Sequence, residues 1–366
     1  MTLTPTQAPP AYRTEVVTDE AAFAALGPAW TRLHRACSTA TPFQTHPWLH
    51  SWWCSYGRPG RLRLLLVRHG EDLVAAAPLT AVRRPLPALV PLGGAISDYG
   101  DVLVDDEHAD AALTALAGLL ASAARTALID LREVRPGGAA ERILDRWPGP
   151  RARLQDSLCL ELPAVPLAEL VARLPSAKAQ QRVRAKLRKL DALGVRRRVV
   201  APEEVAGALG RLLALHRLQW QGRRVTGEHL RPRFHEHLVR AAGPMVRSGD
   251  AVVTEFLLDG EVVAVDLTLL SPGLAGGYLY GAHPCLRERK ADVAVMLLDA
   301  CAGHAAGRGT LSLLRGDEPY KRHWRPEPVV SRRLLLARRR TAPLLAAALA
   351  EAAARRRAKE LLRRRG

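Results

Sequence analysis

Ten consecutive residues, Arg315-Gly-Asp-Glu-Pro-Tyr-Lys-Arg-His-Trp324, gather most of the side-chain types that group transfer requires. Asp317 and Glu318 can accept a proton, Tyr320 and His323 can donate or relay one, and Arg315, Lys321 and Arg322 can hold an anion. The segment follows a short apolar strand, Thr310 to Leu314, itself preceded by a helix. A loop at the carboxyl end of such a strand opens into the crevice where α/β domains hold ligands. The alternative is a surface turn set by Gly316 and Pro319, whose charges pair with one another at little net energy. A second signal is Asp266, in the middle of the apolar run Val262 to Leu270. A buried, unpaired carboxylate is costly, so Asp266 either faces solvent or serves a site, where it competes with Asp317 and Glu318 as general base. Tyr278 and Tyr280, two apart on the next strand, are expected on one face, lining a cleft or packing the sheet.

The segment from Arg315 to Trp324, with the helix and strand before it, resembles the C-terminal signature of the FemAB-like, CelD-type branch of the GNAT acyltransferase superfamily. Near the amino end, Thr41-Pro-Phe-Gln-Thr-His-Pro-Trp-Leu-His-Ser-Trp-Trp53 is similar to the helix that opens the first half of that fold. The resemblance spans nearly the whole chain and implies an α/β (α+β) protein with a tandem GNAT-like fold, mixed central sheets flanked by helices. It implies an acyl-CoA donor, acetyl-CoA or another, and an amine or hydroxyl acceptor on a polar metabolite, a sugar or a cell-envelope precursor. On this reading Asp317, Glu318, Asp266 or His323 is the base and Tyr320 protonates the departing thiolate. Tyr280, Arg315, Lys321, His323 and Trp324 then lie beside the acceptor.

GNAT enzymes hold the coenzyme pyrophosphate on backbone N–H groups where a strand turns into a helix. The matching position here runs from strand Tyr278–Gly281 through Ala282–Lys290 to a helix from Ala291, which makes Arg287, Arg289, Lys290 and Ala291 the coenzyme-binding candidates. This loop departs from the Gly-rich pattern, and Asp292 at the helix start would repel a phosphate. Arg287, Arg289 and Lys290 would offset that as point charges. Two further readings stay open: a FemABX-like transferase using aminoacyl-tRNA, and a non-catalytic binding protein that keeps the fold.

The elements that must position these residues fill 366 residues, enough for two domains with a core each. The expected division is a disordered leader 1–11, a first GNAT-like half 12–162, a second half 163–340 that carries the site, and a basic helix 341–366. Lys and Arg number 54 against 36 acids, a formal charge of +18, which points to an anionic partner. Five dispersed cysteines with no Cys-x-x-Cys pair signal neither a disulfide framework nor a metal site. No stretch reaches the roughly 18–20 apolar residues of a membrane span, so a cytoplasmic protein is expected, with the basic tail able to meet the inner face of the membrane.

In the first half the pattern predicts strand Tyr12–Val17, a helix from Asp19 to Cys37, a hairpin of Leu62–Arg68 and Leu73–Val82, and a Pro/Gly loop from Pro85 to Gly94. Strand Asp101–Val104, helix Glu107–Ala124, strand Ala127–Leu131, helix Ala139–Trp147 and a strand near Leu154–Leu162 follow. The second half reads as helix Leu167–Leu174, a very basic helix Ser176–Leu193, strand Val195–Val200, and helices Glu203–Trp220 and Arg231–Ser248. A meander then turns at Asp259-Gly260, and helix Asp292–Ala306 and strands Thr310–Leu314 and Val329–Leu336 complete it.

Overall fold

The computed structural model describes residues 11–219 and 227–365. The leader as far as residue 10, and Trp220 at the end of an expected helix, lie outside the described residues.

The first half runs β1 (Tyr12–Val17), α1 (Glu20–Ala25), α2 (Gly27–Ala36), α3 (His46–Tyr56), β2 (Leu62–His69), β3 (Asp72–Val82), β4 (Ala88–Pro91), β5 (Leu103–Val104), α4 (Ala109–Ala123), β6 (Leu128–Val134), α5 (Ala139–Arg146) and β7 (Arg151–Pro163). Two expectations change here. The single helix from Asp19 to Cys37 is two, because Pro28 enters the first turn of α2 and starts a new helix. Asp19 does cap the first, accepting from Ala22 N at 2.7 Å. The Pro/Gly loop contains a strand, β4, whose prolines sit at its flanks and edge, where a missing N–H is tolerated.

The second half runs α6 (Leu167–Ala172), α7 (Ala177–Ala192), β8 (Arg196–Val199), α8 (Val205–Gln219), α9 (Pro232–Arg247), β9 (Ala251–Leu258), β10 (Glu261–Leu270), β11 (Leu274–Ala282), α10 (Cys285–Glu288), α11 (Val293–Ala305), β12 (Thr310–Arg315), α12 (Pro319–Arg322), β13 (Glu327–Leu336) and α13 (Ala342–Arg365). Ser176 caps α7 through Ala179 N, and Gly194, at φ +72°, ends it in the left-handed region. Asp259 and Gly260, both at positive φ, make the tight turn between β9 and β10.

The strands form one mixed sheet in the order β1-β2-β3-β4-β6-β13-β7-β12-β11-β10-β9-β8, with β5 on β3. The order is palindromic about the β13–β7 pair. On each side a strand from the other half stands next to the centre: β13 pairs with β6, and β7 pairs with β12. Each half has one parallel pair near the centre, β4 with β6 and β11 with β12. The largest apolar cluster packs α2, α3, α8 and α9 on one face around Phe23, Trp30, Phe43, Trp48 and Phe234. Others lie under α4 and α5 and under α6, α7 and α11. The front of α13 docks through Leu345 and Ala348, while Leu361 and Leu362 near its end are exposed. Among the described residues no helix is long and apolar enough to cross a membrane.

Candidate functional site

The site arises where a parallel pair comes apart. β11 and β12 are paired only at Leu274–Thr310, Ala275–Leu311 and Gly276–Ser312, after which β11 continues along β10 and β12 turns away. A bulge on β12 produces the turn: Ser312 faces Glu161 and Arg315 faces Cys159 on β7, so two residues oppose one. Leu314 takes φ +58°, which L-residues adopt only at a cost. A hydrogen-bond chain holds the bulge. Leu314 N–H donates to Ser312 Oγ (3.0 Å), and Tyr99 Oη donates to the Glu161 carboxylate (3.1 Å). The 2.9 Å contact between Ser312 and Tyr99 is therefore a bond in which the serine donates.

The gap encloses a cavity of about 560 Å³. Asp266, Tyr280, Arg315, Glu318, Tyr320 and Lys321 all border it, so six sequence candidates from β10, β11, β12 and α12 with its N-cap meet there. Asp266 is 3% exposed and lies directly across the β10–β11 ladder from Tyr280. Thr268 Oγ1 donates to its Oδ2 at 2.7 Å, while Oδ1 faces Gly277, where a Cβ would come within 3.8 Å of it. Burial pushes this carboxyl up to about 7, against the pull of Thr268. Cys301 of α11 lines the same wall. Burial and the neighbouring Asp266 push its thiol up to about 12, so it remains protonated at neutral pH.

Tyr280 and Tyr278 do not share a face, contrary to the two-residue spacing. β11 carries an extra residue at Tyr278, since Leu267 faces Leu279 whereas Thr268 faces Gly277. This bulge turns Tyr278 toward Phe43 and Trp48 of the first half, where its hydroxyl donates to Ile96 O at 2.8 Å. Tyr280 packs instead with the cluster of Phe256 and Met296 and receives a bond from Gln219 Nε2 at 3.1 Å.

The charged segment is split by the short α12. Arg315 reaches into the first half, with Asp98 as its ion-pair partner, Glu133 at 3.4 Å and Ala95 O at 2.6 Å. Lys321 is buried, and its Nζ donates to Arg315 O (2.8 Å) and pairs with Glu318 (2.8 Å). Tyr320 stands half-exposed at the mouth, its phenol pushed up by partial burial and by the Glu318 carboxylate. The remaining candidates of this segment do not border the cavity. Asp317 pairs with Arg322 at the surface, His323 is exposed, and Trp324 packs in the apolar cluster below α6 and α11.

The coenzyme candidates also stand outside the cavity lining. Asp292 caps α11, accepting from Val295 N at 3.0 Å, and pairs with Lys186 of α7 at 2.7 Å. Burial alone would raise its carboxyl, but Lys186 and the helix N–H groups hold it below its ordinary value. The positive amino end of α11 is thus taken by a side chain of the protein itself. Arg289 is committed to Asp259 at 3.0 Å, while Arg287, Lys290 and Ala291 lie around α10.

Several cavity residues escaped the sequence reading: Asp98, His216, Glu228 and His229. His216 Nδ1–H donates to the Tyr280 carbonyl (2.8 Å), and its other ring nitrogen lies 3.4 Å from His229 Nδ1. Burial lowers both, and the nearby His216 adds to the effect on His229, which falls to about 4. Both rings are therefore neutral at physiological pH. Gly281 is the one local signal for this contact, because any Cβ there would come within 2.3 Å of Leu212 O on α8.

No curated protein matches the chain. Solved structures share its fold at low sequence identity. FemX matches at a TM-score of 0.60 and 12% identity, over 88% of this chain and 96% of its own. The C-terminal domain of a protein assigned as a lysylphosphatidylglycerol synthetase from Agrobacterium fabrum matches at 0.58 and 12%, over 90% and 96%. L-PGS from Bacillus licheniformis matches at 0.51 and 13%, over 81% and 88%. Residues 177–322, which run from α7 to α12 and include the cavity's second-half walls, match the acetyltransferase (GNAT) domain.

Proposed function

We propose that the chain is an acyltransferase that moves an acyl group, acetyl by first choice, from an acyl-CoA to an amine or hydroxyl of a polar acceptor such as a metabolite, a sugar or a cell-envelope precursor. The observation that carries this reading is the parted β11–β12 pair with a buried carboxylate on its floor. Beyond Gly276 the two facing strand edges have no ladder between them, so their backbone groups can bond an extended amide chain and polarise a thioester carbonyl. Asp266 is the general base: a carboxyl near 7 can take a proton from the acceptor at neutral pH. Tyr320, a protonated phenol at the mouth, is the candidate acid for the leaving thiolate, with Glu318 beside it. The protonated Cys301 favours direct transfer over an acyl-cysteine intermediate.

The resemblance of the Arg315–Trp324 and Thr41–Trp53 segments supports a FemAB-like, CelD-type branch, and the dispersed cysteines, with no Cys-x-x-Cys pair, support a protein of the reducing cytoplasm. One feature favours a second donor, an aminoacyl-tRNA. The helix end that would receive a pyrophosphate already holds Asp292 and its partner Lys186. Thermal shift with acetyl-CoA, longer acyl-CoAs and charged tRNA at two salt concentrations separates the readings. Stabilisation by acyl-CoA that survives moderate salt supports the first. A response to tRNA alone, with a steep salt dependence, overturns it in favour of the second. Silence throughout leaves a binding protein without a donor.

A further inference from the structure

On the outer face of the first half, three side chains of metal-ligand type converge from two helices. His50 and Cys54 stand one turn apart on α3, at i and i+4, and so share a face. Glu20, the first residue of α1, faces them. Cys54 Sγ lies 3.6 Å from Glu20 Oε1 and 3.8 Å from His50 Nε2, and all three ligand atoms fall within 4.8 Å of one another.

These spacings match a coordination shell. With Zn–S about 2.3 Å and Zn–N or Zn–O about 2.0–2.2 Å, the edges of a tetrahedron around zinc are about 3.4–3.6 Å. The two edges that end on the sulfur are already within a few tenths of an ångström of that value. The edge between His50 and Glu20, within 4.8 Å, closes by a rotation of the exposed Glu20 side chain that keeps its second oxygen near Trp53.

Neighbouring groups orient two of the ligands. Trp53 Nε1–H donates to Glu20 Oε2 at 3.3 Å, which turns the other oxygen toward Cys54. The His46 ring stacks on His50 with centroids 5.4 Å apart and planes 7° apart, and His46 is itself held by the Phe23 carbonyl at 2.8 Å. Support of this kind for ligand orientation is what built metal sites show.

We propose that Glu20, His50 and Cys54 bind a divalent transition metal, zinc by preference, in a three-ligand site whose fourth position is open to water. A thiolate and an imidazole select zinc or cobalt over the oxygen-seeking magnesium and calcium. Binding clips α1, a helix of six residues, to α3, and releases the Cys54 proton, so affinity rises with pH. The site is separate from the acyl-transfer cavity, since none of the three residues borders it.

Cobalt(II) titration of the chelator-stripped full chain tests this. One equivalent should produce a thiolate-to-cobalt charge-transfer band with the visible bands of a tetrahedral ion, and zinc should displace both. Cys54→Ser should abolish the charge-transfer band, His50→Ala should weaken binding at least tenfold, and Trp53→Phe should weaken it by about tenfold. Cys285→Ser should leave the band intact. No charge-transfer band in the parent protein, or a band that persists in Cys54→Ser, overturns the proposal. Should a variant misfold, the parent still decides: zinc should slow alkylation of Cys54 at least tenfold, and an unchanged rate overturns the site.

Discussion

In the first half, the gap beside the parallel pair β4–β6 encloses about 310 Å³ and is bordered by Arg132, Glu133 and the Arg315 side chain arriving from the other half. In the second half, the gap between β11 and β12 encloses about 560 Å³ and has Asp266 on its floor. The backbones are built alike. β6 carries the same bulge as β12, with Leu131 facing Leu334 and Val134 facing Arg332, and Glu133 at φ +57° stands where Leu314 stands at +58°. The side chains decide the outcome. Glu133 and Asp98 bind Arg315 and convert the first gap into a cross-link between halves, whereas β10 contributes a carboxylate that, among the described residues, is bonded by Thr268 and paired with no cation. Arg315 borders both gaps, so the difference lies on the floor: an ion-paired arginine and glutamate in the first, a carboxylate bonded by Thr268 in the second.

The largest expected effect tests the open gap. Asp266→Asn should lower kcat by about 10²–10⁴-fold, and the parent's activity should rise with pH through about 7 and level off above it. Stability should move the other way. The folded carboxyl holds its proton up to about pH 7 while the unfolded one releases it near 3.9, so the parent loses stability as pH rises between those values and does not regain it above. Asp266→Asn should then be the more stable protein above pH 7, by roughly 2–4 kcal/mol at most, as read by urea unfolding at pH 5 and pH 8. Unchanged turnover in this variant removes the assignment.

The closed gap comes next. Arg315→Ala should cost roughly 3 kcal/mol, because Asp98 and Glu133 lose their shared cation; a change below about 1 kcal/mol in a denaturant midpoint would mean that the strut is only superficial. Smaller is the effect of Asp292→Ser, which keeps a helix cap but removes a charge. It should tighten acyl-CoA binding about two- to fivefold if the pyrophosphate approaches α11, and leave affinity unchanged if it does not. Asp317→Asn should be smallest of all, under about 1 kcal/mol in stability and near-parental in turnover, since its pair with Arg322 is at the surface.

Much of the frame was legible in local chemistry. Asp259-Gly260 marks its hairpin, Ser176 and Gly194 bracket the basic helix, and a carboxylate amid Val262–Leu270 announces a buried acid. What escaped is non-local. His216 and His229 approach Tyr280 only because α8 lies on Gly281, and Asp98 meets Arg315 across 217 positions. The bulge at Tyr278 reversed a face assignment that strict alternation made natural. β4 was hidden by its flanking prolines, so the first of the two parallel pairs could not be seen at all.

The placement of β13 between β6 and β7 has a consequence for synthesis. Residues 327–336 and β12 are made long after β7, so until they emerge both edges of β7 and the edge of β6 that faces away from β4 stand unpaired. Their partners are supplied only after some 160 further residues, the slow, long-range kind of pairing that leaves a nascent chain exposed to association through its edges. A chain stopped after Pro163 should thus fail to stay monomeric, and two separately made fragments, 12–163 and 164–366, should recover a folded molecule only when mixed.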